Sequence, residues 1–312
     1  MSAITNWIEQ YLFFPNILQR LIGVLFFPLT IVYCIVSAYK RLSAKPQYFG
    51  IPVISIGNLV LGGTGKTPVT IALVKDKKDI AIVLRGHKRE SKGLYVISQN
   101  GKILEDVSTS GDEAMEYAKA LPNATIIVSI DRVKAIKKAK ELGCKVVYLD
   151  DGYSKHNIIK YNILIRPKEE PTNIFCLPSG GYRDTPMMYS FADCVLKDAI
   201  DFKRIVTFTD NQNNEIKTLP KNIVLLTAIS KSYRLKEYLD DDIKIVTYPD
   251  HHSFTQQNID DIYKNNPDCS ILTTKKDIVK LEKFNIKDIY LMNLDIKIEQ
   301  NIYDKINKYI LK

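Results

Sequence analysis

The sequence predicts an α/β fold with a parallel sheet, an N-terminal membrane helix and a second, smaller α/β domain. After residue 45, short apolar runs alternate with polar helical stretches, which is typical of parallel strands buried on both faces. Residues 21–39 form an apolar run without a single charge. A second series of strand-like runs begins at residue 223, after a polar stretch at 200–222.

The composition indicates an ordinary globular protein with an anionic partner. The chain has 312 residues, of which 46% are hydrophobic and 25% charged, and this suits two domains rather than disorder. The net charge of +9 favours nucleotides, phosphorylated lipids, membranes or nucleic acid as partners. A nucleic-acid-binding module is disfavoured, because the lysines are spread along the chain rather than clustered among aromatic residues. The five cysteines contain no C-x-x-C pair, so neither a zinc site nor a disulfide framework is expected.

The apolar run at 21–39 is long enough to cross a bilayer core as a helix. Basic residues follow it directly, which places the rest of the chain in the cytoplasm by the positive-inside rule. Pro28 is compatible with a helix that spans the membrane or lies in its interface. Two alternatives remain: a buried core helix, and a signal peptide, which Glu9 and the lack of a cleavage site disfavour.

The strand and helix predictions divide the chain into an anchor at 1–45, a catalytic domain at 46–205 and a smaller domain at 206–312. Strands of the first domain are expected at 51–56, 80–84, 125–130, 145–149 and 161–165, with helices at 112–121 and 132–142. Those of the second are expected at 223–229, 243–248, 269–274 and 288–294, with helices at 231–239, 256–265 and 276–283.

A glycine-rich loop with the sequence GNLVLGGTGKTP occupies residues 57–68, between a strand and a helix. Its glycines allow backbone N–H groups to approach an anion, its lysine reaches the β- and γ-phosphates, and its last threonine ligates Mg²⁺. The strict phosphate-loop pattern has glycine where this chain has Val60. The motif still predicts a nucleotide site in a P-loop NTPase-like domain. Its binding residues are Gly62, Gly63, Thr64, Gly65, Lys66 and Thr67.

The run VVYLDDGY is an apolar strand that ends in two aspartates, and Asp150 or Asp151 is expected to hold Mg²⁺.

Two further motifs are weaker by themselves. SGDEA places Asp112 and Glu113 at a helix start, where acids are also good caps. YPDHHSF contains the adjacent His251 and His252, a pattern that is more often a turn than a catalytic site.

Taken in order, these motifs resemble the tetraacyldisaccharide 4'-kinase family. GGTGKTP, RGH, SGDEA, LDDGY, PSGGYRD, YPDHHSF and TTKKDIVKL follow one another as they do in that family, from the apolar N-terminal helix to about residue 281. The resemblance implies transfer of the γ-phosphate of ATP, with Mg²⁺, to the 4'-hydroxyl of tetraacyldisaccharide 1-phosphate, giving lipid IVA. It also implies a P-loop domain and a smaller α/β domain with the active site between them. The expected location of the protein, as a monomer, is the cytoplasmic face of the bacterial inner membrane.

The resemblance implies a role for each matching residue. Lys66 matches the phosphate-loop lysine, Asp112 the catalytic base and Glu113 its acidic neighbour at the metal. Thr67, Asp150 and Asp151 match the residues around Mg²⁺. One histidine of the 251–252 pair matches the partner of the catalytic aspartate. The candidates for binding phosphate groups are Arg85, Arg132 and Arg183.

Three motifs depart from the family pattern. The run DDGYSKH has Lys155 where the family has histidine, and TTKKD has Lys275 where the family has an acid. PSGGYRD stands where the family has a P-A-G-P-L-R-E type segment, with the Arg183–Asp184 pair in place. A different membrane-associated P-loop ATPase, for partitioning or transport, is the main alternative function. Such a protein needs neither the GDE nor the D-H-H motif.

Overall fold

The structure is a computed structural model that describes residues 3–229, 232–249 and 252–311. The chain forms two compact units. The larger unit holds Asn6–Lys203 and the chain from Ile296 onward, and the smaller unit is built on Arg204–Asp295.

The helices and strands lie as follows in the described residues. The α-helices are α1 (Ala3–Phe13), α2 (Ile17–Leu42), α3 (Lys66–Val74), α4 (Val107–Ser110), α5 (Asp112–Ala120), α6 (Arg132–Glu141), α7 (Gln256–Asn265), α8 (Lys275–Leu281) and α9 (Gln300–Ile310). Short 3₁₀ helices occupy Pro186–Phe191 and Ser232–Tyr238. The strands are β1 (Val53–Asn58), β2 (Ile80–Leu84), β3 (Tyr95–Gln99), β4 (Lys102–Ile103), β5 (Ala124–Val128), β6 (Val146–Asp150), β7 (Tyr161–Arg166), β8 (Cys194–Lys197), β9 (Phe202–Thr209), β10 (Glu215–Ile216), β11 (Ile223–Thr227), β12 (Lys244–Thr247), β13 (Ser270–Thr274) and β14 (Ile289–Ile298).

The larger unit is built on a sheet with the strand order β4-β3-β5-β2-β6-β1-β7-β8. From β5 to β8 along this order every pairing is parallel, which confirms the predicted fold class. Successive side chains of β2 enter opposite cores, because side chains alternate across a strand. Ile82 packs in the layer that contains α3, α5 and α9, whereas Val83 packs in the layer that contains α6. The antiparallel β3–β4 hairpin at the edge was not predicted.

Helix α9 packs on the larger unit. Ile302 and Ile306 are buried in the same core as α3, and the Tyr303 hydroxyl donates to the Ala72 carbonyl at 3.1 Å. The sequence-based division places residues 206–312 in the second domain, whereas the chain from Ile296 onward groups with the first. The reason is the one-sided apolar face of α9, which is covered by the core around α3.

The N-terminal helices α1 and α2 also lie on the larger unit. Helix α2 begins with a capping box between Asn16 and Gln19 and runs for 26 residues. By length and apolar composition it is the one helix in the described part of the chain that is suited to cross a membrane. Only Gln19, Gly23 and Thr30 of this helix are buried. Its large apolar side chains are exposed instead, among them Leu21, Leu25, Leu29, Val32, Ile35 and Val36.

The smaller unit has a mixed sheet with the order β10-β9-β14-β13-β11-β12, in which the strands from β14 to β12 pair in parallel. Helices α7 and α8 cover one face. The fully buried Asp277 carboxylate lies in the first turn of α8, where it accepts hydrogen bonds from the Thr227 hydroxyl at 2.8 Å and the Thr274 hydroxyl at 3.0 Å. Lys275 is exposed at the first position of the same helix.

The packing of α9 gives a stability prediction. Ile306→Ala is expected to lower the free energy of unfolding by about 2–5 kcal/mol, because it removes a buried side chain from a close-packed core. The matched control is Leu311→Ala at the end of the same helix, where the side chain is 86% exposed. Urea titration of both variants measures the difference. Equal, small effects would show that α9 does not contribute to this core.

Candidate functional site

The site lies at the carboxyl edge of the large parallel sheet. Strands β1, β2, β5 and β6 are neighbours and run in the same direction, so the residues that follow them meet at one edge. Those residues are the glycine-rich loop after β1, Arg85 after β2, Arg132 after β5 and Asp151 after β6. This is the edge at which open α/β sheets bind ligands.

The glycine-rich loop has the backbone conformation of an anion cradle. Gly62 and Gly65 have φ angles of 89° and 83°, a region that disfavours residues with a Cβ. Gly65 is the N-cap of α3, so Lys66 and Thr67 are the first two residues of that helix. The free N–H groups and the positive dipole end of α3 therefore point toward the loop.

Lys66 is held near the acidic residues. Its Nζ lies 3.2 Å from Asn58 Oδ1 and 3.9 Å from Asp151 Oδ1. Val60, which departs from the strict motif, is buried and forms a β-bridge with Tyr182. The Asn58 side chain donates to the Val60 carbonyl at 2.5 Å. A side chain at position 60 is therefore accommodated by packing outside the phosphate cradle.

Asp150 is a buried carboxylate at the end of β6. Its Oδ2 accepts a hydrogen bond from the Tyr117 hydroxyl at 3.1 Å, and its backbone carbonyl accepts one from Arg132 at 3.3 Å. Its Oδ1 is buried and has no hydrogen-bond partner among the described residues. Burial raises the pKa of Asp150 to about 6, against the lowering effect of the nearby Lys66 charge.

Asp151 is exposed to the site and paired with an arginine. Its φ of 53° turns the chain away from the strand. Arg183 Nη1 lies 2.7 Å from Asp151 Oδ1 and 3.0 Å from Oδ2. Desolvation acts to raise the pKa of Asp151, but the charges of Lys66 and Arg183 prevail and hold it below its ordinary value.

Asp112 and Glu113 begin α5, and both are half-buried. The preceding Gly111 has a φ of 78°, and a Cβ there would lie 2.8 Å from the His87 carbonyl oxygen. Only glycine fits this close approach, which fixes the direction in which α5 starts. The charge of Glu113 is near enough to act on Asp150 and to favour its protonated form.

The predicted arginines differ in their environments. Arg85 is exposed, whereas Arg132 is 5% exposed and donates to the Ser129 and Asp150 carbonyls. Lys155 lies in the same electrostatic environment: desolvation, followed by the charges of Arg132 and Arg85, lowers its pKa. The departure from the family histidine thus adds a cation beside two arginines.

The histidine pair is described in part, because His251 lies outside the described residues. His252 belongs to the smaller unit, where its ring stacks on Tyr248 at 4.6 Å between centroids. Its Nε2 lies 3.0 Å from Asn258 Oδ1 in the first turn of α7. The catalytic role of this pair stays a prediction from the resemblance.

The residues at the sheet edge fit a nucleotide with Mg²⁺. Glycine backbone and a helix N-terminus provide phosphate donors, and the unpartnered Asp150 Oδ1 is a hard oxygen ligand. Clusters of three or more His, Cys, Asp or Glu that could hold a metal by themselves are absent from the described ranges. Mg²⁺ is commonly held by one or two carboxylates together with substrate phosphates, and Asp150 and Asp151 are two such carboxylates.

Two residues of the site were missed from the sequence. Tyr117 is fully buried on the inner face of α5, and its pKa is raised by burial. A tyrosine in an apolar helix face gives no indication of its partner, because Asp150 lies 33 positions away along the chain. Asn58 is the second residue of the stretch 57–68 and lies outside its GGTGKT core, so its place in the motif was the available signal.

Comparison with known proteins gives one consistent family. The sequence model for tetraacyldisaccharide-1-P 4'-kinase matches residues 22–311. The tetraacyldisaccharide 4'-kinases of Aliarcobacter butzleri and Campylobacter jejuni are 52% and 38% identical, each over 97% of this chain and 96% of theirs. A crystal structure of LpxK from Aquifex aeolicus in complex with ATP has a TM-score of 0.73 at 24% identity, over 93% of this chain and 99% of that one. That structure supports the fold.

The hydrogen bond from Tyr117 to Asp150 gives a testable prediction about stability. Tyr117→Phe is expected to lower the free energy of unfolding by about 1–3 kcal/mol, because it leaves a buried carboxylate oxygen without its donor. Tyr148→Phe is the matched control. That hydroxyl is equally buried, lies in the same core and has no partner in the described part of the chain, so its loss should change stability little. Equal losses in urea unfolding would remove the hydrogen bond as the cause.

Proposed function

Because this chain belongs to the tetraacyldisaccharide-1-P 4'-kinase family, we propose that it transfers the γ-phosphate of ATP to the 4'-hydroxyl of tetraacyldisaccharide 1-phosphate. The product of this step is lipid IVA. The observation that carries the proposal is the arrangement at the sheet edge, where a phosphate loop, a buried carboxylate and the start of α5 come together. The mechanism needs mainly positioning and charge neutralisation, as phosphoryl transfer generally does.

Different residues at the sheet edge would bind the ATP phosphates, bind Mg²⁺ and accept the proton. The loop amides from Gly62 to Gly65 and the Lys66 ammonium bind the ATP phosphates. Thr67, Asp150 and Asp151 would hold Mg²⁺, which would supply positive charge to neutralise the ATP phosphates. Asp112 accepts the proton of the sugar hydroxyl, and its neighbour Glu113 adds negative charge beside the metal residues.

The cations at the same edge would bind the anionic groups of the two substrates. Arg85 is exposed and therefore free to contact the lipid phosphate. Arg132 is already bound to two backbone carbonyls, and it acts by fixing the ends of β5 and β6. Arg183 contacts Asp151 and can exchange this partner for a phosphate oxygen.

Helix α2 would hold the enzyme in the plane of the membrane rather than span it. Its contacts with the larger unit extend from Gly23, through Thr30 and Tyr33, to Arg41. A helix bound along its length by a polar domain cannot cross the bilayer without taking that domain into the hydrocarbon. The exposed apolar face instead enters one leaflet, as in monotopic proteins. The acting form is a monomer on the cytoplasmic face of the bacterial inner membrane.

The decisive experiment is incubation of the detergent-solubilised protein with Mg²⁺, [γ-³²P]ATP and tetraacyldisaccharide 1-phosphate, followed by thin-layer separation. Label in a bisphosphorylated lipid, lost with Lys66→Ala, is the expected result. Release of phosphate without labelled lipid would favour an ATPase instead.

The base assignment predicts the behaviour of one variant. Asp112→Ala should lower turnover by at least ~10²-fold, a typical contribution of general acid–base catalysis, and leave ATP affinity little changed. Asp304→Ala, an exposed acid of the same unit on α9, is the control and should behave as the unaltered protein. Near-normal turnover of Asp112→Ala in the labelling assay would exclude Asp112 as the base.

The interfacial helix predicts a loss of membrane binding without a loss of nucleotide binding. Leu25→Asp with Val32→Asp places two charges on the exposed face of α2, where burial in the leaflet would be unfavourable. Ile159→Asp with Ile200→Asp, two exposed residues elsewhere, is the control. In a flotation assay with anionic vesicles, the control should rise with the vesicles and the α2 variant should stay in the unbound fraction. Equal retention of both would contradict the membrane role of this face.

A further inference from the structure

An irregular segment, residues 173–185, lies between the N-terminal helices and the phosphate loop. We call it the bridging segment. On its loop side it pairs with the chain just before the glycines. The Leu61 amide donates to the Gly181 carbonyl at 2.8 Å, and the Arg183 amide donates to the Leu59 carbonyl at 2.7 Å. The bridging segment therefore acts as a short extra strand against the entrance of the phosphate loop.

On its other side the bridging segment is bound by α1 and α2. Ser179 Oγ lies 2.8 Å from Thr30 Oγ1 and donates to the Gly23 carbonyl at 2.8 Å. The Tyr11 hydroxyl donates to the Pro178 carbonyl at 3.0 Å. These are buried or half-buried bonds, and they attach the segment to the helices independently of its attachment to the loop.

The two attachments meet at Arg183 and Asp184. The Arg183 guanidinium contacts both oxygens of Asp151, while its carbonyl accepts a hydrogen bond from the Tyr33 hydroxyl at 2.8 Å. The next side chain, Asp184, forms an ion pair with Arg41 near the end of α2. Thus α2 holds both the backbone of Arg183 and the residue that follows it.

The bridging segment contains neither helix nor sheet strand. Its position is set by these hydrogen bonds, by bonds within the segment such as that from the Leu177 amide to the Tyr182 carbonyl at 3.0 Å, and by burial of Cys176 and Tyr182 in a core with Phe13. The Arg183 and Asp151 side chains are 38% and 42% exposed, and packing alone does not restrict them to one arrangement. Fixing the backbone of Arg183 is therefore the available way to fix the direction from which it reaches Asp151.

We propose that Tyr33 and Arg41 of α2 are positioning residues for the phosphate site, acting on Asp151 through Arg183. This inference rests on the proposed function, since it takes Asp151 as a residue of the Mg²⁺-nucleotide site. It gives α2 a second role besides membrane contact: the helix orders a charged pair at the reaction centre.

The test uses two pairs of matched variants in the full chain. Tyr33→Phe removes one hydroxyl, and Tyr39→Phe removes the same group from a tyrosine of α2 that is 70% exposed. Arg41→Met removes the ion pair, and Lys40→Met removes the same charge from the adjacent exposed residue. The two variants of a pair change the charge and polarity of α2 equally. Any general effect of that change on binding of α2 to detergent would therefore appear in both variants.

The readout is the Mg²⁺ concentration that gives half-maximal binding of a fluorescent ATP analogue and half-maximal phosphorylation of the lipid. Tyr33→Phe and Arg41→Met should raise this half-maximal Mg²⁺ concentration roughly 3- to 10-fold, the effect expected from loss of one hydrogen bond to a charged network. The KM for the lipid should change less than ~2-fold, as expected when substrate contacts are untouched. Arg41→Lys should restore most of the loss, because a single N–O contact is within reach of lysine.

A double-mutant cycle separates positioning from general stabilisation. In an Asp151→Asn background, Arg41→Met should have no further effect on Mg²⁺ dependence, because both act on the same pair. Additive effects, or variants equal to their controls, would overturn the proposal. If Arg41→Met does not fold, the Mg²⁺ dependence of Tyr33→Phe alone decides whether the proposal holds. If the unaltered protein forms no labelled lipid but the Mg²⁺ shift in nucleotide binding is present, the proposed function fails and the positioning role stands.

Discussion

The buried carboxylate of Asp150 is the constraint around which the site is organised. Its pKa rises from 3.8 to about 6, chiefly through burial, so the folded protein keeps a proton that the unfolded chain releases. Stability contributed by this group is therefore present below pH 3.8 and is lost as the pH rises to about 6. At neutral pH the ionised group depends on its donors and on nearby positive charge. Tyr117 and Lys66 supply part of this, and a cation at the unpartnered oxygen would supply the rest.

Because Asp150 depends on these partners, α5, α6 and the end of β6 are held together around its carboxylate and backbone. Tyr117 comes from α5, the helix that begins with Asp112, so the hydrogen bond to Asp150 also fixes the distance between the proposed base and the metal residues. Arg132 comes from the start of α6 and holds the backbone of Asp150. A change in either helix is transmitted to the end of β6. The centre of the site is thus buried and hydrogen-bonded to two helices, whereas Asp151 is half exposed and is contacted from the bridging segment.

The local parts of this arrangement could be predicted from the sequence, and the tertiary parts could not. The phosphate loop, the acids after β6 and the parallel strands are encoded within a few residues, by glycine positions and by apolar runs such as 80–84. The partner of Tyr117 and the docking of α9 depend on residues far apart in the chain. Helix α9 was not predicted, and the apolar spacing of Ile302 and Ile306 does not say which core they enter. The exposed face of α2 was predicted by composition, whereas its contacts through Gly23 and Thr30 were not, since small and polar residues in an apolar helix suggest no particular neighbour.

The departures from the strict phosphate-loop motif and from the family pattern can each be related to where the residue lies. Val60 is packed against Tyr182 and lies outside the cradle, so a side chain is tolerated where the strict motif has glycine. Lys275 is exposed at the start of α8, where an acid would be favourable to the helix dipole but is not needed, since Thr274 already caps the helix and Asp277 supplies an acid in its first turn. Lys155 is different, because its charge is disfavoured by desolvation and by Arg132 and Arg85, while Asp131 and Asp151 favour it. The lysine therefore adds positive charge to a group of arginines and aspartates at the carboxyl edge of the sheet, where an ordinary histidine would be largely neutral at pH 7.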